Sequence, residues 1–227
     1  MLSGALGHSS WYQRRMILIG QFDSPFVRRV AIALDLYGLS FEHRPWSVFG
    51  DADKLAAFNP LMRVPTLVLD DGEVLIESCA VLDALDQMVP QGRALIPDTG
   101  PERRHALKVC ALATGLADKA VSLVYERAVH GRATPAWIDR CRSQIAAVLD
   151  ELEADRELCE DDWWFGPAIG HADIAVGVCL FFLTDAHPGL FNLADWPLLA
   201  GHSARCEALA PFAARKQTFK FTPPKAS

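Results

Sequence analysis

Between Pro90 and Pro101 the chain carries three prolines and two glycines, and the period of its apolar residues changes across that stretch. Upstream, short strand-like runs alternate with helical ones; downstream the apolar residues recur at helical spacing throughout. A Pro/Gly-rich break of this kind reads as a linker. The sequence therefore predicts two units of different class, a mixed α/β unit over residues 16–93 and an all-helical unit over 101–222. At 227 residues the chain is long enough for each to bury its own core.

The upstream unit resolves further. The run MILIG from Met16 reads as a strand and QFDS as a turn. Pro25 to Tyr37 is an apolar-periodic helix stopped by Gly38. A short strand at Phe41 to Trp46 follows, then a stretch of helical character (DADKLAAF) ended by Asn59-Pro60. The runs TLVLD and EVLI flank Asp71-Gly72, a two-residue hairpin signal, and a helix from Glu77 to Met88 closes the unit. The order β-α-β-α-β-β-α makes a small mixed sheet covered on both faces. Beyond the linker, helices are expected near Glu102 to Val129, Pro135 to Leu158, His171 to Asp185 and Asp195 to Leu209.

Composition narrows the function. A net charge of -6 with no Lys/Arg stripe argues against a nucleic-acid partner. The apolar run after Arg14-Arg15 is too short for a signal peptide or a membrane span, so no membrane partner and a cytoplasmic setting are expected. Residues 1–15 lack any period and read as an extension, disordered or added upstream of a native start at Met16. The cysteines Cys79, Cys110, Cys141, Cys159, Cys179 and Cys206 form no C-x-x-C pair and no metal-ligand spacing. They read as free thiols serving as small buried residues, and no metal site is expected.

Three short constellations carry possible chemistry. Ser24-Pro25 stands where the first strand turns into the first helix. Ser at the N-cap and Pro at N1 are favoured there for local reasons alone, yet a helix N-terminus with a hydroxyl also stabilises a thiolate. Arg63-Val64-Pro65-Thr66 precedes the third strand. It reads as an ordinary strand start, or, with a cis Val64-Pro65 bond, as a backbone turned outward to pair with an extended peptide. Glu77-Ser78 opens the helix after the hairpin. An acidic residue there complements the helix dipole, and the same pair can hold the ammonium and carboxylate of an amino acid.

With these three on one rim of one sheet, the sequence resembles the glutathione transferase superfamily, bacterial type, from Met16 to about Phe212. The resemblance rests on SPFVRRV, FNPLMRVPTLVLDDG, LIES and HADIAV. It implies a thioredoxin-like N-terminal domain followed by an all-helical C-terminal domain, with glutathione as co-substrate. It further implies that Ser24 is catalytic, bonding the glutathione sulfur, and that Phe26, Arg63, Val64, Pro65, Glu77 and Ser78 complete the glutathione site. The strand end holds Gln21 and Phe22 where a Tyr-type enzyme has tyrosine; the beta-type cysteine and the S-S-C-x-W-R signature of the zeta type are also missing.

The activity implied is conjugation of glutathione thiolate to a small apolar electrophile. A glutathione-dependent isomerase, dehalogenase or peroxidase, or a non-catalytic binding relative, would share the site. Val121, Tyr125 and Ala128 at i, i+4, i+7 of the first long helix, with Phe212, are expected to line the second-substrate pocket, although core packing explains such spacing too. A homodimer is implied by the family. Gly170-His171-Ala172-Asp173 reads as a structural helix cap, and Trp163, Trp164 and Phe165 as core.

Overall fold

The computed structural model describes residues 16–128 and 134–221, apart from the Ala128 side chain; the extension over residues 1–15 lies outside the described residues. The first unit runs β1 (Met16–Ile19), α1 (Pro25–Tyr37), β2 (Phe41–Arg44), α2 (Ala52–Ala56), β3 (Thr66–Val68), β4 (Val74–Ile76) and α3 (Ser78–Met88). The sheet order is β2-β1-β3-β4, parallel between β1 and β2 and antiparallel elsewhere.

Alternation along β1 separates two cores. Leu18, with Leu67 of β3, packs under α1 and α3 against Val27, Val30, Leu34, Val81 and Leu85. Ile19, with Val68, packs against Leu55 of the short α2 on the other face. This is the thioredoxin-like arrangement expected of the first unit.

The hairpin differs from expectation. The backbone N–H of Leu69 bonds Glu73 O at 2.8 Å and that of Gly72 bonds Leu69 O at 3.0 Å. The loop is therefore three residues, Asp70-Asp71-Gly72, with Gly72 at φ 96. A type I turn splays the strands unless a left-handed residue follows, and Gly72 supplies it.

The second unit contains α4 (Gly100–Ala128), α5 (Pro135–Glu157), α6 (His171–Ala186), α7 (Pro197–Glu207) and α8 (Ala210–Ala214). The single last helix expected over Asp195 to Leu209 is divided: a 3-10 turn spans Leu193–Asp195, and Pro197 opens α7 afresh. Every residue of α6 from His171 to Leu180 is buried, as a helix apolar all round must be. It forms the axis around which α1, α4 and α7 pack.

The cap of α6 is half a capping box. Asp173 accepts from Gly170 N–H at 2.8 Å and from Trp164 N–H at 2.9 Å, while Gly170 has no side chain to reciprocate. His171 is buried in the junction of the two units, bonding Asp86 on α3 through Nε2 at 3.0 Å. Tyr37 of α1 donates to the same carboxylate. Trp164 is core, with Trp163 and Phe165 packed against it. Among the cysteines, Cys110, Cys141, Cys179 and Cys206 are buried as expected, but Cys79 is exposed on α3.

Candidate functional site

The candidate site is built where α1 begins. Ser24 is the N-cap, with its backbone extended and Pro25 next. Its Oγ accepts from Val27 N–H at 3.5 Å, the far limit of a hydrogen bond. The hydroxyl is thus only lightly engaged, at a helix end that favours negative charge.

The loop before β3 approaches Ser24 because of two other residues. Asn59, buried, spans the loop: its Nδ2 donates to Arg63 O at 3.1 Å and Thr66 Oγ1 at 3.2 Å, and its Oδ1 accepts from Leu61 N–H at 3.0 Å. The Val64-Pro65 bond is cis. Gly20, ending β1 at φ 130, lets the three segments close; a Cβ there would lie 2.5 Å from Val27 Cγ2 and 2.8 Å from Val64 Cβ. Only glycine fits that contact and that φ.

At the start of α3, Glu77 takes a left-handed φ of 66, a conformation of the kind that clusters at ligand sites. Its carboxylate meets Arg63 at 3.3 Å, both side chains more than half exposed. Such a pair contributes little, which leaves both groups available to the charged ends of a ligand. Ser78 is buried, its Oγ 3.4 Å from Nη1 of Arg29.

Between this rim and α4 lies a cavity of about 600 Å³, whose walls include Ser24, Phe26, Arg63, Val64, Val121 and Tyr125. The structure thus brings these six together. Pro65, Glu77 and Ser78 stand off its walls, Pro65 buried and Glu77 exposed. Phe212 does not line it: it is fully buried in the helical core, because the short α8 turns its ring inward. The Ala128 side chain lies outside the described residues.

The aromatic wall that sequence reasoning assigned to Phe212 comes instead from the segment after α8. Phe219, Lys220 and Phe221 line the cavity together with Phe49 and Phe182. Phe49 meets Tyr125 edge-on at 5.4 Å between centroids, and Phe221 at 5.9 Å. The segment is pinned by its backbone: Phe219 N–H donates to Asp185, and Lys220 N–H to Asp23 at 3.4 Å. Burial pushes the Asp23 carboxyl up, opposed by the Lys220 backbone bond. The Phe-Lys-Phe alternation in an otherwise polar tail was the available signal.

Asp118 was also missed. It lines the cavity from α4, and burial pushes its carboxyl up, with Arg63 opposing. Tyr125 is likewise pushed up by burial. A cavity of this size, in which Asp118 and Lys220 interrupt an otherwise largely apolar α4 and tail side and the rim is polar, suits a ligand with a charged part and an apolar part. Among the described residues no group of three or more His, Cys, Asp or Glu is placed to hold a metal ion. No helix among them is long and apolar enough to cross a membrane.

Comparison with known proteins agrees with this fold. Residues 18–93 match the model of the glutathione S-transferase N-terminal domain, and residues 135–205 that of its C-terminal domain. A glutathione S-transferase from Methylobacterium radiotolerans JCM 2831, solved with glutathione sulfonate, is 30% identical with a TM-score of 0.84, covering 94% of this chain and 100% of its own. One from Methylobacillus flagellatus KT, with glutathione bound, is 28% identical with a TM-score of 0.80, covering 88% and 98%. Maleylacetoacetate isomerase of Pseudomonas aeruginosa is 29% identical over 191 residues, 78% of this chain and 87% of that protein.

Proposed function

Because the chain belongs to the glutathione S-transferase family, we propose that it binds glutathione along the rim and conjugates its thiolate to a small apolar electrophile. One observation carries the reading: Ser24 at the N-terminus of α1 shares a cavity with Val64 on one side and Val121 and Tyr125 on the other. Relatives solved with glutathione sulfonate and with glutathione support glutathione as the co-substrate.

In this reading Val64 pairs its backbone with the cysteinyl unit, placing the sulfur at Ser24, with Phe26 on the cavity wall and Pro65 holding the loop from behind. Glu77 and Ser78 take the γ-glutamyl ammonium and carboxylate, and Arg63 the glycyl carboxylate. The thiol proton leaves to solvent. Ser24 Oγ–H then donates to the sulfur anion, a charge-assisted bond worth ~1.5–3 kcal/mol, with ~0.3–1 kcal/mol from the helix terminus. The thiolate attacks the electrophilic carbon; a C–S bond forms and the leaving group departs with its electron pair. The protein orients and activates, and forms no covalent bond of its own.

A second reading is glutathione-dependent isomerisation, in which the same thiolate adds and later departs. Lys220 on the cavity wall would suit an electrophile carrying an acidic group. Product analysis separates the two, since only conjugation consumes glutathione. We further propose a homodimer working in the cytoplasm; the exposed apolar side chains of Val74, Met88 and Leu107 support a covered face, and the free thiols a reducing compartment.

The test is a pH titration of thiolate absorbance with glutathione added to the wild type and to Ser24→Ala. The expected result is a saturable signal with a lowered midpoint in the wild type, shifted back toward free glutathione in the variant. Turnover of the variant should fall ten- to a hundredfold with glutathione affinity little changed. Absence of any bound thiolate would favour a non-catalytic binding protein.

A further inference from the structure

Cys79 differs from the other cysteines in two ways. It is exposed, where Cys159 is half-buried and the remaining four are buried, and its Sγ lies 3.7 Å from Nη1 of Arg29. Arg29 is only 2% exposed and forms no ion pair among the described residues. Its Nε has no acceptor, and its Nη1 otherwise meets Ser78 Oγ at 3.4 Å. The carboxylates that line the same groove, of about 380 Å³ between α3 and α4, are engaged elsewhere. Asp83 pairs with Arg103 at 3.1 Å, and Asp86 holds His171 and Tyr37; burial pushes the Asp118 carboxyl up. A guanidinium keeps its charge in a protein, and a buried charge without a counter-ion is strongly unfavourable. Of the two side chains that Nη1 meets, a hydroxyl and a thiol, only the sulfur is readily oxidised to a stronger acid.

We propose that Cys79 is a modification site for hydroperoxides, oxidised to a sulfenate that Arg29 holds as its counter-ion. The thiol proton leaves to solvent and the sulfur attacks one oxygen of the peroxide. An S–O bond forms and the O–O bond breaks, the departing oxygen taking the electron pair and a proton to leave as water or an alcohol. Sulfur is oxidised by two electrons and the peroxide reduced by two. The guanidinium stands beside the sulfur where negative charge develops, first on the departing oxygen and then on the sulfenate. Cys79 is also the second residue of α3, where a helix terminus favours an anion. The groove gives a small hydroperoxide room to approach, with Leu82, Ile96 and Leu107 to receive an apolar tail. This inference stands apart from the glutathione reading, which uses the cavity on the other side of the rim.

The experiment treats the reduced full chain, free of glutathione, with hydrogen peroxide or cumene hydroperoxide in the presence of dimedone, which traps sulfenic acids, and maps the adducts by mass spectrometry. Cys79 should be trapped at least tenfold faster than Cys159. Iodoacetamide, whose thioether product carries no charge, supplies the control for exposure. The preference for Cys79 over Cys159 should be at least fivefold larger with peroxide than with iodoacetamide, a comparison that needs no variant. Arg29→Met, which removes an unpaired buried charge, should lower trapping at Cys79 at least fivefold with the thermal midpoint near wild type and Cys159 unaffected; Cys79→Ser should abolish the adduct. Equal preferences with the two reagents would show that exposure alone sets the reactivity and overturn the inference. So would absence of a Cys79 adduct, or undiminished trapping in a folded Arg29→Met protein. None of these outcomes touches the glutathione reading, since no glutathione is present.

Discussion

Arg28 on α1 clasps Glu207 on α7 with both terminal nitrogens, at 2.8 and 2.9 Å, and so ties the sheet unit to the helical one. Its guanidinium also lies over the rings of Phe181 and Phe212, at 4.7 and 5.6 Å. Removing one partner of a buried pair strands the other, at a cost of ~3–5 kcal/mol. Glu207→Ala should therefore destabilise the protein by about 3 kcal/mol in urea denaturation, and adding Arg28→Met should recover part of the loss. A double variant no better than Glu207→Ala would show that packing, not the stranded charge, sets the cost.

Asn59 holds the loop that carries Arg63 and Val64 by three hydrogen bonds to buried or half-buried groups. Asn59→Ala leaves the Leu61 N–H without its acceptor, while Thr66 Oγ1 still donates to Arg63 O at 3.1 Å; stranding that one group costs roughly 1–3 kcal/mol. The variant should lose about 2 kcal/mol of stability and raise the KM for glutathione several-fold, with a smaller change in the KM of the electrophile. Steady-state kinetics with each substrate varied in turn checks this.

Phe49 and Phe221 line the cavity and meet edge-on, and such pairs contribute ~0.5–1.5 kcal/mol beyond their area. Phe221→Ala is expected to raise the KM for an apolar aromatic electrophile about three- to tenfold and leave that for glutathione within twofold. A parallel rise in both would mean that the tail supports the whole site rather than its apolar half.

His202 on α7 sits edge-on to Trp164 at 4.9 Å, its Nε2 bonding Asp173 O at 3.2 Å. Burial pushes its imidazole down to about 4, against the raising effect of the Asp173 backbone bond and with Arg156 and Arg205 adding to the fall. Below the ordinary histidine value of 6.5 the unfolded chain takes up a proton that the folded chain refuses, so this contribution is present above pH 6.5 and lost as pH falls through about 4. The neighbouring Asp173, pushed up to about 6 by burial, has the opposite sign: the folded chain takes up its proton first, so its contribution grows as pH falls from about 6. The two oppose each other in the wild type. His202→Phe removes one of them, and the stability of the variant relative to wild type should improve by roughly 2 kcal/mol between pH 6.5 and 4. A pH-independent difference in urea midpoints would contradict that balance.

Much of the fold was legible because it is written in local periodicity and punctuation. The switch from mixed to helical period, Ser24-Pro25 as a helix start, Gly38 as a stop and the apolar run of α6 each act within a few residues of themselves. The rim of the site followed for the same reason, since Ser24, Val64 and Glu77-Ser78 sit at the ends of elements that the sheet order brings to one edge. What the tertiary structure alone decided depends on long-range approach. Whether an aromatic near the C-terminus is core or cavity turns on where the chain goes after α8, which buries Phe212 and delivers Phe219 and Phe221. Likewise nothing local distinguishes Arg28 from Arg29. One meets Glu207 across 179 residues of sequence and the other meets no carboxylate among the described residues, because adjacent positions on a helix point about 100° apart and so face different neighbours.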